Sequence, residues 1–146
     1  SASVSSSAPL GGTAIFTAPP AVGSQAPSEA ASPLVSTLGT TLDFPFDLTN
    51  TGLGLSTTIE LANPGSSPAK VTLSFTDSPG QALSGSASVT IPAHGHYESV
   101  LGSAFPSLQG SKGVVQVKST LPLTGLAIRY NGLAFTSIPA VVPGAN

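Results

Sequence analysis

Proline and glycine interrupt this chain so often that no stretch of it can carry a long helix. Fourteen prolines and sixteen glycines are spread over 146 residues. Inside a helix they cost roughly 3 and 1 kcal/mol each relative to alanine. No window shows a sustained 3.6-residue apolar period between caps. What remains is a series of short alternating runs with turn signals between them, at the spacing of about 8–12 residues expected of an all-β sandwich or barrel.

The runs can be placed in order. Leu34–Leu38 and Thr41–Leu48 are the first candidate strands of the main body. Pro45 has no N–H to give a ladder, so it confines the second to a sheet edge or a bend. Ser56–Ala62 sends Thr57, Ile59 and Leu61 to one face, and Ala69–Thr76 sends Val71, Leu73 and Phe75 inward. Ala87–Ile91 and His96–Leu101 follow. In Gly113–Thr120, Val115 and Val117 oppose Val114, Gln116 and Lys118. Asn63-Pro64-Gly65-Ser66, Asp77-Ser78-Pro79-Gly80 and Pro92-Ala93-His94-Gly95 read as turns. Leu123–Tyr130 and Leu133–Ile138 flank Asn131-Gly132, a dipeptide that suits a type I′ hairpin turn. The predicted fold is a two-sheet antiparallel sandwich of about seven to nine strands.

The first 33 residues differ in composition from the rest. They are rich in Ser, Ala, Pro and Gly, with Glu29 as their only charged side chain. The segment reads as an extended arm (1–33) ahead of the β domain (34–146). Within it, Thr13–Ala18 is a short β-prone run stopped by Pro19-Pro20. Ala14, Phe16 and Ala18 would face one way, and Thr13, Ile15 and Thr17 the other. An alternating strand on a linker running to Pro33 is what one subunit needs in order to lend a strand to another. Ala14, Ile15, Phe16 and Ala18 are therefore the candidate assembly residues.

Charge narrows the function classes. Only 7% of residues are charged, against about 25% in typical domains. Such a surface of Ser, Thr, Gly and Asn predicts an exported protein, extracellular or at the cell surface. It has little colloidal repulsion and tolerates self-association. The opening Ser1-Ala2-Ser3 fits the end left by signal cleavage. Lys70, Lys112, Lys118 and Arg129 form no cluster in the sequence, which argues against a nucleic-acid partner. There is no cysteine, hence no disulfide frame or thiolate metal site. No apolar run approaches the ~18 residues of a membrane span.

The chemistry-bearing residues are few. His94, His96 and Glu98 would share one face of an extended strand, a weak candidate for a divalent metal. Asp43 and Asp47 share strand parity beside Phe44, Pro45 and Phe46, a pairing that more simply describes packed phenylalanines and solvated carboxylates than a glycosidase. There is no phosphate-binding loop and no dinucleotide fingerprint, so no cofactor and no enzyme activity are predicted.

The stretch Thr57-Thr58-Ile59-Glu60-Leu61-Ala62-Asn63-Pro64-Gly65-Ser66-Ser67-Pro68-Ala69-Lys70-Val71-Thr72-Leu73-Ser74-Phe75 resembles the paired strands of immunoglobulin-like adhesion modules on bacterial surfaces. Leu123 through Pro139 resembles the closing hairpin of an uncharacterised β-sandwich domain in secreted bacterial proteins. The resemblance spans roughly residues 42–141 and implies an immunoglobulin-like sandwich and export, with no catalytic residues to carry over. Two functions fit. One is a filament or pilus subunit that polymerises head-to-tail with itself through its N-terminal strand. The other is an adhesion or carbohydrate-binding module of a larger surface protein, with glycans or a cell surface as partner.

Overall fold

The computed structural model describes residues 4, 6–8, 11–20, 27–33, 38–50, 52 and 54–144. The protein is all-β and antiparallel. Among the described residues nine strands occur in chain order: β1 (Thr13–Ala18), β2 (Ser28–Pro33), β3 (Gly39–Asp47), β4 (Leu55–Ala62), β5 (Ala69–Asp77), β6 (Ala82–Ile91), β7 (His96–Val100), β8 (Lys112–Asn131) and β9 (Ala134–Pro139). Two short helical turns, Leu101–Ala104 and Pro106–Leu108, bridge β7 and β8. Among the described residues no helix is long and apolar enough to cross a membrane. The candidate strand Leu34–Leu38 falls largely on residues 34–37, outside the described residues.

β1 and β2 form a two-stranded sheet of their own; the other seven strands form one sheet in which β8 is shared. The first part of this 20-residue strand pairs with β3 and β5, and its last part pairs with β4 and β9. β6 extends the first half beyond β5, and β7 extends the second beyond β4. The sequence pattern predicts a two-sheet sandwich; the topology gives a seven-stranded antiparallel sheet that curls about β8. Two candidate strands, Gly113–Thr120 and Leu123–Tyr130, are thus one. Thr120, Leu121 and Pro122 have no ladder partner among the described residues, so Pro122 sits where its missing N–H breaks no described pairing.

Alternation decides which side chains go inward. Val71, Leu73 and Phe75 of β5, Ile59 and Leu61 of β4, and Val115 and Val117 of β8 are all buried, as are Phe44 and Phe46 of β3. Pro45 points outward on a strand that ladders with β8 and is bridged on its other side, to Val141, at Asp43 alone, so its missing N–H is tolerated there as at an edge. The two halves meet across this core at Gly125 of β8. A Cβ there would lie 2.8 Å from Cζ of Phe44 and 2.9 Å from Cδ2 of Leu61. Phe75 anchors an aromatic cluster, edge-on to Phe46 with centroids 6.1 Å apart and tilted against Phe105 at 4.7 Å.

One buried polar residue fastens an end of the molecule. Asn63, at the start of the Asn-Pro-Gly-Ser turn, is 1% exposed. Its Nδ2 donates to the carbonyls of Ser67 (2.8 Å), Ile91 (3.2 Å) and Pro92 (3.0 Å), and its Oδ1 accepts from the Gly65 N–H at 3.0 Å. The turn after β4 is thereby clamped to the turn after β6. At the other hairpin the expected turn moves by one residue. Asn131 pairs with Ala134, so Gly132 and Leu133 form the loop. Gly132 alone has positive φ, at 60°, which fits a glycine-first type II′ turn better than type I′.

Candidate functional site

β1 forms where the sequence places it, and its neighbour comes from the segment read as linker. Six residue pairs join β1 to β2, from Thr13 opposite Pro33 to Ala18 opposite Ser28. Phe16 stands opposite Ala30 and is half-buried, as is Ala18; Ala14 is exposed, and Ile15 is 69% exposed on the other face. The arm is therefore a hairpin in this chain, with one edge of β1 satisfied by β2. Its opposite edge pairs with no described residue.

The hairpin rests on the body through β2 and β9. Ser28 Oγ donates to the Leu133 carbonyl at 2.7 Å, and Ser137 Oγ donates to the Ala31 carbonyl at 2.5 Å. Both contacts advance in the same direction along the two strands, so β2 runs parallel to β9. The contact is made by hydroxyls rather than by a backbone ladder, since β9 pairs only with β8. Sequence reasoning missed Ser28 and Ser137. In a chain coated with serine, neither carries a signal that separates it from the rest.

The proposed metal set does not assemble. Among the described residues no group of three or more His, Cys, Asp or Glu side chains is placed to hold a metal ion. His96 and Glu98 do share a face of β7. His94 instead lies in the preceding turn with φ 56°, the one non-glycine residue with positive φ among those described. That conformation takes it out of the strand repeat on which the shared face depended. The residue Glu98 does face is Glu60 of β4, directly across the ladder, with His96 opposite Ala62. Partial burial pushes the Glu60 carboxyl above the ordinary carboxylate range. The Glu98 charge adds to this, and His96 works against it.

The aspartates of β3 hold structure. Phe44 and Phe46 turn into the core, while Asp43 and Asp47 turn outward. Asp43 accepts from Gln116 Nε2 at 3.1 Å. Asp47 accepts from the Thr49 N–H and hydroxyl at 3.0 and 2.7 Å, and from Arg129 at 3.1 Å. The Thr49 hydrogen bonds and the nearby Arg129 guanidinium keep its carboxyl below the usual range. Arg129 separates two open depressions of about 330 and 400 Å³. The first is lined by Arg129, Asn131, Ala134, Phe135 and Thr136. Tyr130 and Phe135, cross-strand partners with rings 5.8 Å apart, take the other face of the ladder from Arg129, Asn131 and Thr136.

No curated protein and no solved structure matches the chain. A family model does match, over residues 2–122, and its description is a family of unknown function, DUF5719. The match takes in the β1–β2 hairpin and most of the curled sheet, ending within β8. Because it covers well over half of the sequence, the chain belongs to the DUF5719 family.

Proposed function

We propose that the protein is a structural subunit of an extracellular filament or pilus, joined to its neighbours through the N-terminal segment. The observation that carries this reading is the separateness of the β1–β2 sheet: no backbone ladder ties it to the other seven strands. An isolated two-stranded hairpin is marginal in water. This one is held by two hydroxyl hydrogen bonds, the burial of Ser32 and the partial burial of Phe16, Ala18 and Ala30. A segment held that way can leave its own body for another molecule at little net cost, because an identical neighbour offers the same hydrogen bonds and the same apolar cover. The scarcity of charge supports close packing of copies. On this reading the curled sheet serves as an immunoglobulin-like sandwich that bears load and carries out no chemistry.

Phe16→Asp in the full chain tests the proposal. It places a carboxylate on the half-buried face of β1 and leaves the core untouched. Wild-type protein should form fibres visible by negative-stain electron microscopy, and the variant should stay folded by circular dichroism but form none. Fibres of ordinary length from the variant would rule out assembly through this segment.

A second reading, a carbohydrate-binding or adhesion module, is favoured by the partly exposed Tyr130–Phe135 pair on the β8–β9 ladder. Exposed aromatic rings offer apolar faces on which sugar rings can stack. Glycan-array binding that is lost in Phe135→Ala while fibres persist would favour this reading.

A further inference from the structure

We infer that the acceptor for the N-terminal segment is strand β9 of a second copy, and that the transferred unit is the whole β1–β2 hairpin rather than a single strand. This rests on the assembly reading above and names the surface it requires. The hairpin is already complementary to β9: Ser28 reaches the Leu133 carbonyl at 2.7 Å and Ser137 reaches the Ala31 carbonyl at 2.5 Å. Everything that fits the hairpin to this site is present on every copy of the chain, so an identical site awaits the hairpin on any neighbour.

Three features favour the exchange. β1 and β2 satisfy each other through six register pairs, so the hairpin can travel with its own backbone hydrogen bonds intact. A lone donor strand would have to break all of these. The connection from Pro33 to Gly39 has five intervening residues, which span at most about 18 Å when extended. That reach suits a body packed directly alongside and not a distant one. The hairpin carries one formal charge, Glu29, and β9 carries none, so no like-charge contact opposes docking.

The transfer is heterologous, since the donor hairpin and the acceptor β9 are different surfaces. Each copy that gives its hairpin forward has its own β9 open to the hairpin of the copy behind. A chain of such steps grows without closing. A reciprocal pair would use the same two surfaces and stop at a dimer.

The absence of cysteine allows a direct test. Ala31→Cys and Ser137→Cys are made as separate single variants, mixed in denaturant, refolded together and treated with a short bismaleimide. Cross-linked species containing one chain of each variant are expected, identified by mass spectrometry. The double variant, diluted among an excess of wild-type chains before refolding, should lose most of its cross-linking within one chain. Cross-links confined to single chains would overturn the inference. Should Ser137→Cys fail to fold, Ser28→Cys with Leu133→Cys probes the other end of the same contact. Light scattering on the wild type separates the two failures. Polymers without the intermolecular cross-link would overturn the β9 acceptor and leave the filament reading standing. A monomer at every concentration would overturn both. A cross-linked dimer that grows no further would support the acceptor and overturn the filament.

Discussion

Replacing Asn63 removes four side-chain hydrogen bonds together, and it leaves the Ile91 carbonyl in a buried place without that donor. Such a loss costs about 1–3 kcal/mol, so Asn63→Ala should lower the urea midpoint by that equivalent with an unchanged m-value. Glu60 offers the opposite case. Its carboxyl is pushed up by burial and by Glu98 directly across the ladder. A raised acid binds its proton more tightly in the folded state, so its favourable contribution is full below the ordinary carboxylate value. That contribution is lost as the pH rises through the higher folded value. Glu60→Gln should therefore flatten this part of the stability profile and raise the melting temperature at neutral pH. The gain should correspond to a few tenths to about 1 kcal/mol, as for other cross-strand like-charge pairs. Thermal melts of both proteins between pH 4 and 8 would check it.

Among the elements, β8 organises the rest, and its close contact with the opposite half sets a test. Gly125→Ala places a methyl against Phe44, Leu61 and the Glu60 carbonyl. Two of these are in the packed core and one is backbone, so none yields easily. A loss of about 1–3 kcal/mol is expected, measured by chemical denaturation. Much of this level was legible in the sequence. Val71, Leu73 and Phe75 alternate with polar residues, and an apolar face of that kind can only turn inward. β2 was not legible, since Ser28-Glu29-Ala30-Ala31-Ser32-Pro33 contains no β-branched or aromatic residue. It is a strand because β1 offers it a ladder, a tertiary cause that overrides local preference. The continuity of β8 was hidden by Pro122, whose usual meaning as a strand breaker lapses where no partner lies alongside. Of the candidate site, β1 was readable from its alternation. Its docking on β9 depends on two serine hydroxyls indistinguishable from their many neighbours. The shared face of His94, His96 and Glu98 required a strand repeat through His94, whose left-handed backbone interrupts it.

For the molecule as a whole, the shared strand governs how the fold fails. β3 and β5 hold one part of β8, while β4 and β9 hold the other. Neither half retains a complete set of neighbours once β8 is withdrawn. Pulled from its two ends in an optical trap, the body should rupture in a single event. Two successive peaks of comparable height would mean that the halves are mechanically independent. A thread assembled from such units would therefore part at its hairpin junctions, where two serine hydroxyls stand in for a ladder, while the strand braced inside each link stayed whole.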